Sequence, residues 1–598
     1  MKKINITVLL SVVVSMFSCS DDFLEQKDLY RISNESYFKN EKEIGEALTG
    51  IYSVLAVEKG HTFPILIANV LSDDMLGGGD GSGDSWIRPV DKFEKNAKED
   101  NFEPLWRRYY QGIFRANSIL ESFEQAEYTN ESQRNQDLGE VYFLRGYMYF
   151  TLAQFFGTVP LITTTLSGNE PRADVHFLFA QIASDMKMAA ELIPNNKITD
   201  ELDPREGHAT KWAAESMMGR IWLFYTGTYN KTELPLVEGG SISKADVVAY
   251  IEDVINNSGH RMISDFPNLW AYTATGLSDS TRLVTSDYDK NQLPIIMVPT
   301  NAFKAAGRDG TGTTPYSWID DSGSANPESV FALNFNTFGS EVPASLPRSN
   351  HMVLYNGIRA GNGAPHGVGW GFCTVHPAIW NDFEEGDIRK YGSMFNVEDP
   401  ISAALEGTTA AKFQDNKTTY DGYQVTGVFN KKYMPVQQQS GIDNASFGVF
   451  QNMWVVRGYS FSDNIQHSNM QDLMLMRFAD VLLMHSELTE TADGMNQVRR
   501  RAGLSDIAYS LDALKAERRH ELAFEGLRYF DLIRWGDCKK AFDDLGTIKV
   551  ADGAFADDGS YPDDYAVTSW TEDKKFLQIP ESQIRLSNGI LTQNPGWE

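Results

Sequence analysis

The sequence predicts a mainly α-helical protein in which paired helices, packed as in tetratricopeptide repeats, form a scaffold for a loop-rich insertion. Apolar residues recur at steps of three and four in residues 102–120, 142–156 and 209–225, which is the period of one helix face. Small residues such as Gly146 and Ala153 would let a neighbouring helix approach closely. Large aromatic and small residues suggest tetratricopeptide-type packing, although an ordinary helical bundle predicts the same pattern.

Helix-ending residues and charge pairs extend this prediction. Gly157 with Pro160 should end the second helix, and Gly227 should end the third. The helical pattern returns in residues 473–485 and 511–535. Oppositely charged residues three positions apart are close enough to interact on a helix surface. The last segment contains three such pairs, Arg518/Glu521, Glu525/Arg528 and Asp531/Arg534.

The middle of the chain has a different composition. From about residue 265 to residue 458 there are clusters of Gly, Asn, Thr and Pro, scattered aromatic residues and short apolar runs such as residues 329–335. This composition predicts loops with a few strands. Loops of this length inside a folded body are usually functional or disordered, and the aromatic content argues against disorder.

The first 25 residues have the order of an export signal. Lys2 and Lys3 precede an apolar run, residues 4–17, that is too short to span a bilayer. Ser18 then precedes Cys19, which is typical of a lipoprotein signal peptide over residues 1–18 and a lipid anchor on the Cys19 thiol. An ordinary secretory peptide with an incidental cysteine is the alternative. We therefore expect the protein to work at a membrane surface, outside the cytosol.

Charge and cysteine content exclude several classes of ligand and of scaffold. The 598 residues carry a formal charge of -28, which repels nucleic acid, anionic lipid headgroups and phosphorylated substrates at long range. Neutral ligands such as glycans or peptides escape that repulsion. With Cys19 lipidated, only Cys373 and Cys538 remain, so no disulfide framework is available.

The sequence contains none of the common catalytic motifs. His-Glu-x-x-His, Cys-x-x-Cys and Gly-x-Ser-x-Gly are all missing. The Gly-rich residues 77–84 lack the Lys-Ser/Thr of a phosphate loop, and we interpret them as a mobile loop. Glu521 and Glu525 could be proposed as a glycosidase pair, but neighbouring arginines would keep both carboxylates ionised. The sequence therefore predicts a protein that is not an enzyme.

Acidic clusters raise the question of a metal ion. Asp73, Asp74 and the acid-rich residues 552–564 could bind calcium, but neither cluster fits an EF-hand loop. Solvated loops are the better interpretation. We predict no metal site and no cofactor, and structural calcium is an alternative without support.

Several segments together carry a family resemblance. The most specific is ERRHELAFEGLRYFDLIRWG, residues 517–536. Around it lie MRFADVLLM at residues 476–484, VRRRAGL at 498–504, QNPGW at 593–597, FGTVPL at 156–161, TKWAA at 210–214, GWG at 369–371 and DFEEGDIR at 382–389. The combination resembles the SusD/RagB outer-membrane lipoproteins of Bacteroidetes over nearly the whole chain, with the first segment as their hallmark helix. Ser20-Asp21-Asp22 resembles the acidic signal that sends such lipoproteins to the cell surface.

The resemblance implies a helical body of tetratricopeptide-type repeats with a loop-rich face that binds nutrient oligosaccharides. It further implies that the protein is lipid-anchored at the cell surface of the outer membrane, as a lid on a SusC-like TonB-dependent transporter. The hallmark helix is then structural. The implied regions are a signal peptide over residues 1–18, an N-terminal helical region over 19–230, a loop-rich linking and insertion region over 231–330, and a C-terminal region over 331–598.

Sites in this family tend to use aromatic residues from an early loop and from the middle insertion. Stacking a sugar ring on an aromatic face removes about 100 Å² of apolar surface from water, which contributes about 2–3 kcal/mol. By this resemblance the ligand-binding candidates are Trp86, Arg88, Trp270, Tyr272, Tyr316 and Trp318. For each aromatic residue, packing in the core is the competing interpretation.

Two other functions stay open at this point. Some relatives are thought to use peptides or glycopeptides, and aromatic loops on an acidic body do not exclude such ligands. A glycoside hydrolase is the remoter alternative; it predicts release of reducing ends, lost when one carboxylate is replaced.

Trp318 is the strongest single candidate, because residues 316–321 lie among turn formers with no helical stripe to absorb the ring. We expect Trp318→Ala to weaken glycan binding at least several-fold and to leave the fold intact. Calorimetric titration measures the first effect and circular dichroism the second. Unchanged affinity would remove Trp318 from the site.

Overall fold

The computed structural model describes residues 37–56, 64–81, 86–94, 100–198, 207–263, 266–270, 326–333, 350–356, 358–359, 369–399, 422–434, 437–439, 450–452, 472–553 and 560–598. The helices of the N-terminal half are α1 Glu41–Ala56, α2 Pro64–Val70, α3 Arg88–Asp91, α4 Glu103–Ser122, α5 Glu131–Phe156, α6 Val175–Leu192, α7 Lys211–Tyr229 and α8 Lys244–Asn257. Those of the C-terminal half are α9 Met352–Tyr355, α10 Pro377–Asp382, α11 Ile388–Ser393, α12 Phe478–Thr489, α13 Asp493–Arg501, α14 Leu511–Glu521, α15 Arg528–Trp535, α16 Cys538–Leu545 and α17 Glu581–Leu586.

The described strands are short and pair antiparallel, two at a time. The pairs are β1 Met75–Gly78 with β5 Phe372–Val375, β2 Leu234–Pro235 with β3 Ser241–Ile242, β4 Ser329–Leu333 with β10 Leu473–Arg477, β6 Met394–Asn396 with β7 Val428–Asn430, β8 Gln437–Gln439 with β9 Phe450–Asn452, and β11 Ile548–Val550 with β12 Asp563–Tyr565.

Consecutive helices of the N-terminal half pack against each other, from α4 through α8, and α1 packs on α4 and α5. Gly146 lies where α5 meets α6: a Cβ there would come within 3.0 Å of Met186 Cε and 3.1 Å of Asp185 Cβ. The small residue therefore lets the two helices approach, as the sequence predicts. The mainly α, tetratricopeptide-like fold is confirmed.

The helix ends differ from the prediction at two places. Helix α5 begins at Glu131, before the apolar stripe, because Asn130 caps it by accepting hydrogen bonds from the amides of Ser132 and Gln133. Helix α7 continues past Gly227, where the prediction ended it. A Cβ at this position would collide with the carbonyl oxygen of Arg534 in α15, so this glycine serves helix packing and does not end the helix.

The segment of residues 473–485, predicted as one helix, is a strand followed by a helix. Residues Leu473–Arg477 form β10, which pairs with β4, and α12 starts at Phe478. In a short run of Leu and Met, the hydrophobic pattern does not distinguish a strand from a helix, so the secondary structure depends on whether a partner strand is present. The apolar run at residues 329–335 does contain a strand, β4, as predicted.

The hallmark segment forms two helices, α14 and α15, joined by a turn in which Phe524 and Gly526 have positive φ angles of 66° and 75°. Of its three predicted charge pairs, only Asp531–Arg534 forms, at 2.7 Å. The partners of the other two pairs bind more distant charges instead, although Arg518 and Glu521 both lie in α14 and only Glu525 lies in the turn. Arg518 binds Asp480 at 2.7 Å, and Arg528 binds Asp73 at 2.8 Å.

Glu521 and Glu525 lie in a buried ion-pair network, which is named here the Arg477 network. Arg477 donates to Glu521 at 2.9 Å and to Glu525 at 2.7 Å. The network holds ten buried charged side chains from six segments of the chain: Glu328, Asp387, Arg389, Lys432, Arg477, Arg499, Arg501, Glu517, Glu521 and Glu525. It ties the loop-rich region to the C-terminal helices.

The electrostatics of this network bear on catalysis. Burial opposes ionisation of Glu521, but the charges of Arg501, Arg477 and Arg389 lower its pKa well below the usual range. Burial likewise opposes ionisation of Glu525, and Arg477 and Lys432 lower its pKa. An acid that stays ionised cannot donate a proton near neutral pH. Both carboxylates are structural ion-pair partners, as the sequence analysis interprets them, though with different arginines.

The predicted regional boundaries stay predictions. Helix α8 lies inside the linking region of residues 231–330, so that region is not made of loops alone. The signal peptide of residues 1–18 and the anchor Cys19 lie outside the described residues.

We expect Glu521→Gln to lower the urea midpoint strongly at pH 7, because removing one member of a buried ion pair costs about 3–5 kcal/mol. The pKa of Glu521 is depressed in the folded state, so its contribution is present above the unfolded pKa of about 4.3 and is lost as pH falls further. The difference in urea midpoint between wild type and Glu521→Gln should therefore become smaller below about pH 4. Glu572→Gln, at an exposed salt bridge, is the control; an equal midpoint for wild type and Glu521→Gln would contradict the expectation.

Candidate functional site

The candidate site is built on the β1–β5 pair and on the glycine-rich residues that follow β1. Gly78 has a φ angle of 70°, and a Cβ there would collide with the carbonyl oxygen of Gly371. The Gly79 amide donates to the Gly371 oxygen at 2.8 Å, and the Tyr423 amide donates to the Gly79 oxygen at 3.0 Å. Glycine is required here because two backbones lie in direct contact. Residues 77–80 are thus held in place by hydrogen bonds, contrary to their interpretation as part of a mobile loop.

Arg88 stacks on Tyr423 at this position. Its guanidinium carbon lies 4.4 Å from the centroid of the tyrosine ring, a cation–π distance. Its Nη1 atom donates to the carbonyl oxygen of Asp80 at 2.5 Å and to that of Gly78 at 3.4 Å. Both side chains are half-buried. The arginine is therefore ordered before any ligand arrives.

A second arginine completes the polar part of the site. Arg359 donates to the Asp80 carboxylate at 3.0 Å and to the carbonyl oxygen of Trp370 at 3.4 Å. Asp80 thus joins both arginines, through its carbonyl oxygen and its carboxylate. The half-buried ring of Trp370 meets Tyr355 edge-on at 5.1 Å between centroids and His351 at 5.9 Å. We name Asp80, Arg88, Arg359, Trp370 and Tyr423 the Arg88 site.

Buried polar groups support the glycine-rich backbone from beneath. Gln424 accepts from the Gly78 amide and donates to the Asp91 carboxylate, both at 2.8 Å. The same carboxylate oxygen accepts from the Gly77 amide at 2.8 Å. Burial raises the pKa of Asp91 to about 7. The carboxyl group therefore titrates near neutral pH directly under the site.

This arrangement suits binding more than bond cleavage. The half-buried rings of Tyr423 and Trp370 are of the kind that stacks on the flat face of a ligand, and the paired charges can hold its polar rim by hydrogen bonds. Among the described residues, no group of three or more His, Cys, Asp and Glu side chains is placed to hold a metal ion. Asp73 and Asp74, considered above for calcium, bind Arg528 and Arg519 at 2.8 and 2.7 Å.

The structure places the predicted ligand residues in three groups. Arg88 lies in the site. Trp86 and Trp270 are 7% and 2% exposed and pack in the hydrophobic core, so in this conformation neither presents a ring face to a sugar. Trp270 lies over the Arg477 network, with Lys432 Nζ 4.9 Å from its ring centroid. The remaining three, Tyr272, Tyr316 and Trp318, lie outside the described residues.

Sequence reasoning missed four residues of the site as ligand candidates: Asp80, Arg359, Trp370 and Tyr423. The Gly369-Trp370-Gly371 motif was one available indication, because glycines on both sides of a tryptophan leave its ring poorly covered by neighbours in sequence. Nothing in the sequence marks Tyr423, which reaches Arg88 across more than 300 positions.

Two family models match the chain. One, described as the SusD family, covers residues 327–597; the other, described as starch-binding and associating with the outer membrane, covers residues 22–223. SusD-like proteins P25 and P2 of Formosa agariphila are 22% and 21% identical to the chain, over 91% and 100% of it and 92% and 100% of their own lengths. The chain belongs to the SusD-like family, which confirms the resemblance.

Solved structures agree on the fold. A laminarin-binding SusD-like protein superimposes with a TM-score of 0.65 at 22% identity, over 94% of this chain and 100% of that one. Surface glycan-binding protein A of Bacteroides thetaiotaomicron, in complex with laminarihexaose, gives 0.66 at 20% identity, over 93% and 99%. In the ranges that the structure describes, no helix has both the length and the hydropathy needed to cross a bilayer.

We expect the stability of the protein to report the titration of Asp91. Its folded pKa of about 7 exceeds the unfolded value of about 3.9, so its contribution is present below about pH 4 and is lost as pH rises through 7. Asp91→Asn keeps an acceptor oxygen for Gly77 and Gln424 and has no carboxyl proton to lose. As the pH is raised from 4 to 8, the urea midpoint of Asp91→Asn should therefore rise relative to that of wild type.

The matched control is Asp506→Asn, at an exposed salt bridge. Its midpoint should follow that of wild type across the same range. If the urea midpoints of wild type and Asp91→Asn change in parallel with pH, the expectation is contradicted.

Proposed function

We propose that this protein is a cell-surface lipoprotein that captures a glycan and delivers it to a partner TonB-dependent transporter of the outer membrane. The observation that carries the proposal is the Arg88 site, in which half-buried Tyr423 and Trp370 lie beside arginines already paired through Asp80. Aromatic faces match the C–H face of a sugar ring, and the polar groups match its hydroxyl rim.

Three further observations support this function. The charge of -28 favours a neutral ligand over a phosphorylated one. Two structurally similar proteins are named for laminarin binding or contain laminarihexaose, so β-glucans are the first ligands to try. One matching family model is described as associating with the outer membrane, which fits a lipid anchor on Cys19.

We propose binding without cleavage and without a cofactor. A glycosidase needs an acid with a raised pKa beside a second carboxylate. Glu521 and Glu525 do not meet this requirement, because arginines lower the pKa of both. At the Arg88 site the Asp80 carboxylate is paired with Arg359. The acid with a raised pKa beneath this site, Asp91, is only 2% exposed and is hydrogen-bonded to Gly77 and Gln424, so it does not reach a ligand. Neither place therefore offers a proton donor to a glycosidic oxygen.

The test uses the soluble chain begun after Cys19, titrated with starch, laminarin, xylan, pectin and mucin glycans while reducing ends are followed in the same samples. Binding of one class without new reducing ends is the expected result. Release of reducing ends would overturn the proposal in favour of a hydrolase. Binding of peptides, with no response to any glycan, would favour the peptide alternative.

We expect Tyr423→Ala to weaken binding of that glycan at least tenfold, because a lost stacking contact of about 100 Å² is worth about 2–3 kcal/mol. Tyr423→Phe keeps the ring and should retain most of the affinity. Tyr509→Ala, at a half-buried tyrosine outside the site, is the control for general damage. Equal calorimetric affinities for wild type and Tyr423→Ala would exclude Tyr423 from the binding surface.

A further inference from the structure

A cleft of about 610 Å³ opens on the helical scaffold, between α4, the residues around 160–170, and the C-terminal residues 583–591. It shares no residue with the Arg88 site. Its volume falls within the range of about 300–1,000 Å³ that is usual for small-molecule sites. None of its lining residues is required by the function proposed above.

One wall of this cleft is an aromatic stripe. Trp106, Tyr110 and Phe114 follow each other at steps of four residues, so they share one face of α4. Trp106 and Tyr110 are in ring contact at 5.1 Å between centroids, and the Tyr110 hydroxyl donates to the Pro160 carbonyl oxygen at 2.7 Å. Phe114 is 52% exposed. The stripe thus runs from the core to an open ring at the cleft.

The rim of the cleft offers amide groups. Within the described part of the chain, the side chains of Gln111, Asn169 and Gln583 line the cleft and make no hydrogen bond. An amide both donates and accepts, as a sugar hydroxyl does. Arg107, Arg115 and Glu170 also line the cleft. Arg107 is paired with Glu103 at 2.8 Å, and the other two charges are of opposite sign, so the cleft has no preference for an anion.

We propose that this cleft is a second carbohydrate site, which binds one or a few sugar residues of a neutral glycan by stacking on Phe114 and by hydrogen bonds to the amide rim. A purely apolar ligand would leave the amides unmatched, and an anion would gain nothing from the mixed charges. A sugar ring supplies both an apolar face and a hydroxyl rim. The exposed Leu586 opposite extends the apolar wall.

The inference rests on the proposed function and extends it. When one polymer occupies two separate sites, its apparent affinity exceeds that of either site alone, because the second binding event becomes intramolecular. The Arg88 site and the cleft would then hold one polysaccharide at two places. A short oligosaccharide does not have this increase in apparent affinity, because it occupies one site at a time.

The test compares wild type with Phe114→Ala, Tyr423→Ala and the double variant, using the polysaccharide of the panel above that wild type binds and its hexasaccharide. Phe177→Ala removes a phenylalanine that is 63% exposed on α6 and does not line the cleft, and it is the matched control. The readouts are retention on the immobilised polysaccharide and amide hydrogen exchange of residues 160–170 and 583–591 with and without the hexasaccharide.

Phe114→Ala should weaken retention on the polysaccharide about tenfold, and Phe177→Ala should not. In Tyr423→Ala, the hexasaccharide should still slow exchange in residues 160–170 and 583–591, and the double variant should lose this protection. Both results follow only if the cleft binds sugar independently of the Arg88 site.

Three outcomes would overturn the inference. If Phe114→Ala behaves as wild type while Tyr423→Ala loses all binding, the cleft is not a glycan site and the proposed function stands. If Phe114→Ala loses co-purification with the transporter but keeps glycan binding, the cleft belongs to a protein partner. If wild type binds no panel glycan, the proposed function fails and this inference fails with it.

Discussion

The buried network around Arg477 and Glu521 is the interaction on which the rest of the structure depends. It joins positions as distant in sequence as Glu328, Arg389 and Glu521, and thereby fixes the loop-rich region on the helical body. Burying so many charges is tolerable only because each has an opposite charge within hydrogen-bond distance, and loss of one partner leaves another unpaired in a medium of low dielectric constant. This requirement accounts for the dense charge of the hallmark segment, whose Glu517, Glu521 and Glu525 belong to the network.

The charged side chains of the Arg88 site are also paired with partners inside the protein. Its arginines are paired to backbone oxygens and to Asp80 before a ligand binds, and the glycine backbone beneath them is held by Gln424 and Asp91. Ordering these side chains in advance removes part of the entropy cost of binding. The tetratricopeptide-like body contributes rigidity, and in the proposed second site it also contributes a binding surface of its own.

Sequence reasoning succeeded where the information is local. The buried apolar face of α4 and the small residue at the α5–α6 contact could be predicted because a helix repeats every 3.6 residues. It failed where a distant partner decides: β10 is a strand because β4 lies beside it, and Trp270 is core because it lies over Lys432. At the candidate site, the ligand role of Arg88 stays a prediction, and Tyr423 carried no local pattern that could have indicated it.

By itself, the sequence determined the helical class, the family, the acidic surface and the ionised state of Glu521 and Glu525, because periodicity, specific motifs and charge content are all properties of the chain read locally. Only the tertiary structure decided which arginine pairs with which carboxylate, which tryptophans are buried and which aromatic rings lie half-buried at the Arg88 site. Those outcomes depend on contacts between residues hundreds of positions apart, and the choice among many similar arginines and aromatic residues is made by packing geometry, which no local pattern records.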